Sequence, residues 1–103
     1  MPTEQSYLVF VLDQLAPLSG VSYRAMMGEY ILYYRGKIFG GIYDDRLLVK
    51  QTAAAKKLLP DAPSEIPYPG AKPMLLVEEI DDRDFLCDLV KIIAEELPEP
   101  KIK

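Results

Sequence analysis

The sequence predicts an α+β domain of two layers, an antiparallel sheet of about five strands packed against helices at the two ends of the chain. Three observations carry this reading. Residues 24–50 hold nearly all the strand-like sequence, as apolar β-branched and aromatic segments at 30–34, 37–43 and 46–49. Arg35-Gly36 and Asp44-Asp45 separate those segments, and two polar residues between apolar runs are a hairpin signal. Amphipathic stretches flank this meander on both sides, and a sheet so small needs such a cover for its apolar face.

Taken in order, Thr3 is the expected N-cap of a first helix over residues 4–16. Tyr7, Leu8, Val11, Leu12 and Leu15 recur there at three- and four-residue spacing, and Pro17 limits its length. Leu18-Ser19-Gly20 reads as a turn, and residues 21–27 as a first short strand ending at Gly28.

Within the meander, alternation places Tyr30, Leu32 and Tyr34 on one face and Ile31 and Tyr33 on the other, so neither face is polar. The same alternation puts Ile38, Gly40 and Ile42 together, opposite Phe39 and Tyr43. Paired glycines at 40 and 41 weaken a strand, and they mark a bulge or the close approach of another element; a ligand site is the alternative.

Thr52 is placed to cap a short helix of good helix formers, A-A-A-K-K-L-L, which Pro60 ends. Residues 60–73 contain five prolines and Gly70 and read as an extended loop without regular structure, either functional, mobile or covering a sheet edge. Met74-Leu75-Leu76-Val77 suits a buried strand of the central sheet. Asp81 is the expected cap of the last helix, with Asp82 and Asp84 in its first turn and Leu86, Leu89, Val90, Ile93 and Leu97 as its apolar stripe. Pro98 ends it, and residues 98–103 read as a frayed tail on a single domain of 1–103.

Composition bounds function mainly by exclusion. A chain of 103 residues can bury roughly two thirds of its unfolded surface, enough for a core without metal or disulfide staples. Its apolar runs are too short to span a membrane. The start, M-P-T-E-Q-S, has no secretory pattern, and one cysteine cannot form an internal disulfide, so a reducing, cytoplasmic setting is expected.

A net charge of −4 argues against direct nucleic-acid binding. The charge is nevertheless polarised. Basic residues exceed acids between Arg24 and Lys57, whereas acids dominate from Leu58 onward; both groups serve as solvated faces, and the basic one could steer an acidic partner.

The chain has no histidine, which removes the commonest general base, metal ligand and nucleophile-activating group together. A lone Cys87 in a helix reads as a packed thiol, and scattered carboxylates do not make a zinc site. The acidic cluster from Glu78 to Asp84 is explained by helix capping. No phosphate-binding glycine loop is present, and no catalytic residue, metal or cofactor is expected. Tyr30, Tyr33, Tyr34 and Tyr43 beside Arg35, Lys37 and Arg46 have the composition of a base-stacking sheet, but cross-strand packing accounts for them within an acidic chain.

The order of these features resembles the N-terminal domain of the TfoX (Sxy) family, whose pattern maps onto Met26, Met27, Gly28, Tyr30, Gly36, Phe39, Asp45, Leu47 and Lys50 over about residues 7–97. The family's methionine-phenylalanine-glycine motif has Met27 in place of phenylalanine, a change of packing more than of chemistry. What the resemblance implies is a regulatory or protein-interaction module, standalone and without the C-terminal domain of full-length competence regulators, whose partner is a protein and, by family analogy, a transcription regulator. The surface expected to carry it is the meander, through Arg24, Tyr30, Tyr33, Arg35, Lys37, Phe39 and Lys50, with aromatic anchors and a basic rim. Homodimerisation through a sheet edge or face is compatible with this. The alternatives are a nucleic-acid-binding accessory domain and, least favoured, a small-molecule enzyme.

Overall fold

Strands β1 (Val21–Met26), β2 (Glu29–Tyr34), β3 (Lys37–Ile42) and β4 (Leu47–Val49) follow one another as an antiparallel meander in the computed structural model, which describes residues 4–97. Each connection is a tight turn with two central residues in the left-handed region: Met27 and Gly28 at φ 54° and 86°, Arg35 and Gly36 at 52° and 82°, Asp44 and Asp45 at 52° and 57°. That backbone hand matches the twist of the flanking strands, which is why two-residue hairpins select it. Glycine adopts it freely and aspartate tolerates it, whereas other side chains lose about 1–2 kcal/mol there.

Beyond the meander come α2 (Ala53–Leu58), β5 (Ser64–Glu65), β6 (Met74–Val77) and α3 (Arg83–Glu96), preceded at the start of the chain by α1 (Gln5–Gln14). The sheet is antiparallel throughout, in the order β1-β2-β3-β4-β6-β5. The expected α+β arrangement of sheet and terminal helices is therefore present, with six strands. The sixth is β5, inside the proline-rich stretch expected to be irregular. Ser64 and Glu65 pair with Leu75 and Met74, and the Pro63 carbonyl accepts from the Leu76 amide at 2.9 Å. Two residues between prolines carry no periodicity, so β5 has no sequence signature.

All three helices contribute to the core. Leu8, Val11 and Leu15 of the α1 region, Ala55 and Leu59 at α2, and Leu86, Leu89, Val90 and Ile93 of α3 join Leu32, Phe39, Ile42, Leu47, Val49, Leu75 and Val77 of the sheet. Helix starts differ slightly from expectation. Glu4 is the N-cap of α1 and makes no side-chain cap bond, while Thr3 lies outside the described residues, as do residues 98–103.

Asp82, rather than Asp81, caps α3 by accepting from the Phe85 amide at 3.2 Å; Asp84 remains in the first turn. Thr52 caps α2 as expected, accepting from the Ala55 amide at 3.1 Å. Leu97 follows α3 as its C-cap and still packs on the core.

The main departure from simple alternation lies in β3. Leu32 pairs with Gly40 and Tyr33 with Ile38, leaving Phe39 as an extra residue. This bulge shifts the phase of the strand. Phe39 and Ile42, expected on opposite faces, both enter the helix-covered core at 0% exposure, while Ile38 and Tyr43 occupy the other side. Burying the two is worth about 1.5–3 kcal/mol each.

The glycines let the neighbouring strands approach closely beside the bulge. A Cβ at Gly40 would lie 2.2 Å from the Leu48 carbonyl oxygen, and one at Gly41 would lie 2.7 Å from both the Tyr30 carbonyl oxygen and the Tyr43 ring. Backbone atoms cannot yield at that distance. Gly40→Ala is accordingly expected to lower unfolding free energy by about 3 kcal/mol or more, read by urea denaturation. Met27→Asn is expected to act in the opposite direction, raising stability by about 1 kcal/mol in the same assay, because it relieves a left-handed methionine that is 97% exposed and packs on nothing.

Candidate functional site

Strand register decides which side chains share the face that the helices leave uncovered. Arg24 pairs with Ile31, and Ser22 with Tyr33, which pairs in turn with Ile38. Directly paired residues lie on one face, so Ser22, Arg24, Ile31, Tyr33 and Ile38 form a continuous strip across β1, β2 and β3. Ile31 and Tyr33 are half-buried, and Ile38, with no helix over it, is 38% exposed. Toward β4 and β6 the face meets residues 67–73 of the loop. Leu48, which points that way, is fully buried.

The seven residues expected to form one surface are split by the fold. Arg24, Tyr33 and Lys50 belong to the open face. Tyr30 lies on the helix side, half-buried against the core, with its ring edge-on to Tyr23 at 5.8 Å.

Arg35 occupies the left-handed turn, exposed, with its guanidinium 5.3 Å from the Tyr34 ring centre. Lys37 donates from Nζ to the Ala94 carbonyl at 3.0 Å. It thereby supplies a cation at the C-terminal end of α3, whose own last turn contains no basic residue. Phe39 is fully buried and is a core residue, not a surface anchor, because the bulge turns it under α3. The family-motif position Met27 is likewise corrected: at a hairpin tip and almost wholly exposed, its exchange for phenylalanine leaves packing untouched.

Where the open strip meets residues 60–73, the surface sinks into a groove of about 500 Å³. Ile31, Ile38 and Met74 line it from the sheet, and Pro67, Tyr68 and Pro73 from the loop. Lys50 and Lys72 stand at its rim, and no carboxylate is among its lining residues. Neither ammonium group makes an ion pair among the described residues.

The loop wall is held in place by several bonds. The Arg46 guanidinium pairs with the Glu65 carboxylate, Gln51 Nε2 donates to the Ser64 hydroxyl at 2.9 Å, and the Ala71 amide donates to the Tyr68 carbonyl at 3.1 Å. Tyr68 also packs on Tyr43, with ring centres 6.2 Å apart and planes tilted by 52°. Sequence reasoning missed Tyr43, Tyr68 and Lys72 as partners in one site, since 25 and more residues separate the loop from the strand it covers.

A family model for the TfoX N-terminal domain matches residues 13–92, from the second half of α1 to within α3. The chain belongs to the TfoX N-terminal domain family. It is also 36% identical, over 102 residues, to an uncharacterised 12.7 kDa protein in the trpE 5′ region of Spirochaeta aurantia, an alignment covering 98% of this chain and 89% of the relative.

Chemistry on this TfoX N-terminal domain is limited to few groups. The Cys87 thiol is buried, donates to the Gln14 main-chain carbonyl at 3.5 Å, and burial raises its pKa, so it is a packing group rather than a nucleophile. Among the described residues no three His, Cys, Asp or Glu side chains come together in a way that could hold a metal, and no helix is long and apolar enough to cross a membrane.

Tyr43, on the groove side of β3, has its pKa raised by burial first and then by Tyr68 and Glu29; Tyr7 is also raised, by burial above all. A phenol whose folded pKa exceeds its unfolded value near 10 binds its proton more tightly when folded. Its stabilisation is full below that pH and is lost as pH rises through the folded value. Unfolding free energy is therefore expected to hold steady from pH 7 to about 9 and to fall above about pH 10, with a shallower fall in Tyr43→Phe, measured by urea titrations across that range.

Proposed function

We propose that this TfoX N-terminal domain is a non-enzymatic protein-interaction module of a regulatory kind, docking its partner on the bare half of the open sheet face. The observation that supports this most directly is a sheet with helices on one face only, leaving Ile31, Tyr33 and Ile38 as a half-exposed apolar strip bounded by Arg24 and Lys50. Large apolar groups with cations at the margin have the composition of binding hot spots. Met26 and Met27, exposed at the β1–β2 tip, extend the apolar surface at one end. A partner that fits this strip presents apolar side chains within an acidic rim, and a transcription regulator is the first candidate by family. The lack of histidine in the whole chain weighs against acid–base or nucleophilic catalysis as an alternative.

Self-association is a second reading, favoured by β1, a six-residue strand at the edge of the sheet. Unpaired backbone groups along such an edge are a template for another strand.

Affinity capture on the wild-type domain and on an Arg24→Glu, Tyr33→Ala variant, with light scattering of both proteins, tests these readings. The variant is expected to lose the captured partner, or to pass from dimer to monomer, while its melting temperature stays within a few degrees of wild type. Retention of every wild-type partner and of the wild-type mass by a folded variant would overturn the proposal.

A further inference from the structure

We infer that the groove between the open sheet face and residues 66–73 is a binding site for a small amphipathic anion, an apolar body carrying a carboxylate head. This inference does not depend on the protein-docking reading, although the groove shares Ile31, Ile38 and Lys50 with the strip across β1 to β3. Its basis is the pairing of two features that ordinary surface clefts do not combine. The floor is apolar, built by Ile31, Ile38 and Met74, with prolines and Tyr68 opposite, and its volume of about 500 Å³ falls within the range of small-molecule pockets. At the rim stand two lysines that make no ion pair among the described residues, and no carboxylate lines the groove, in a protein whose net charge is −4.

Some surface cations of this chain pair with acids. Lys91 does so with Asp88, and Arg46 and Arg83 do so with Glu65 and Asp13. Lys50 and Lys72 instead converge from β4's end and from the loop upon the same cleft. An apolar ligand tail would remove the floor from water, and its head group would meet both ammonium ions at the opening, where the low dielectric of the apolar wall strengthens the attraction.

The geometry disfavours other occupants of the groove. A cation would meet like charge, and a bare inorganic anion would leave the apolar floor wet. A phosphate would lack the backbone amide cradle or arginine fork that usually holds it. The groove wall is also tethered before any ligand arrives, through β5, the Arg46–Glu65 pair and the Tyr43–Tyr68 contact, so little ordering accompanies binding.

Octanoate is a suitable probe, with 1-octanol, octylammonium and inorganic phosphate as comparisons, followed by calorimetry and by amide and methyl NMR shifts on the intact chain. Octanoate is expected to bind with a dissociation constant of about 1 mM or tighter, shifting the amides of Lys50, Gln51 and Lys72 and the methyls of Ile31 and Ile38. Lys50→Met and Lys72→Met are each expected to weaken it about fivefold without unfolding the domain, since both side chains are exposed. Tyr68→Ala, at a residue 52% exposed, provides a second folded variant that lowers affinity through the wall rather than the charge. Equal binding of octanol would overturn the anionic half of the inference, and equal binding of phosphate the apolar half. Absence of octanoate shifts in the groove would overturn it entirely, whatever the outcome of partner capture.

Discussion

The close approach of β3 and β4 at Gly40 and Gly41 is the constraint on which the rest of the structure depends. With the Leu48 carbonyl only 2.2 Å from where a Cβ would stand on Gly40, no other residue permits the pairing of Gly40 with Val49 and Gly41 with Leu48. Next to that pairing, the β2–β3 ladder bulges at Phe39, and the bulge turns Phe39 to the same side as Ile42, beneath α3. The consequence reaches the opposite face. Freed of Phe39, that face keeps Ile38 and Tyr43, and the Tyr43 ring lies over the bare backbone of Gly41 where Tyr68 of the loop can meet it. Core and groove thus arise from one irregularity. A strand of perfect alternation would turn Phe39 out of the core and Ile38 into it.

Around this irregularity the remaining polar groups act mostly as fasteners. The Glu29 carboxylate accepts from the Asp44 amide at 3.1 Å and holds the β3–β4 turn to β2, while Asp45 accepts from the Glu4 amide at 2.8 Å and ties in the start of α1. Glu96 at the end of α3 accepts from the Ala54 amide at 2.8 Å, placing a carboxylate at the positive end of α2. Gln14, the one buried polar side chain among the described residues, donates to the Ile80 carbonyl at 2.9 Å. Lys37 belongs to the same group, a surface lysine by sequence that donates to the Ala94 carbonyl at the end of α3. Such bonds are local in effect, about 0.5–1.5 kcal/mol each, and they orient the elements that the apolar core holds together.

What distinguishes the open face from these fasteners is the lack of such engagement at Lys50 and Lys72, together with apolar groups left half in water. A helical layer on one side only is a stable solution for a sheet whose second face is partly polar, yet Ile31, Tyr33 and Ile38 are not polar. Residues 67–73 of the proline-rich loop lie against one side of this face and leave Tyr33 and its neighbours on β1 to β3 open. The groove marks that boundary, and for this reason it combines an apolar floor with a charged rim.

Most of the architecture was legible in residues alone. The two-residue turns at Arg35-Gly36 and Asp44-Asp45, the capped α2, the strand at 74–77 and the amphipathic final helix follow from local rules of turn chemistry, capping and periodicity, which act over a few residues and are written where they act; the third turn, at Met27-Gly28, falls where a strand running through Met27 was expected. Membership of the TfoX N-terminal domain family was legible too, in the order and spacing of motifs each weak by itself. Alternation and local propensity could not place β5, Phe39 or the groove. β5 exists only because Leu75 and Met74 are there to pair with it, Phe39 faces the core only because Gly40 lets β4 approach, and Lys50 and Lys72 share a cleft only because the loop folds back across the sheet. Those are contacts between segments distant in sequence. Sequence by itself determined most of the elements that form and their approximate extents, β5 excepted. Tertiary structure decided which face each side chain presents and which cations meet, because both depend on register and backbone approach between strands, quantities that no single segment carries.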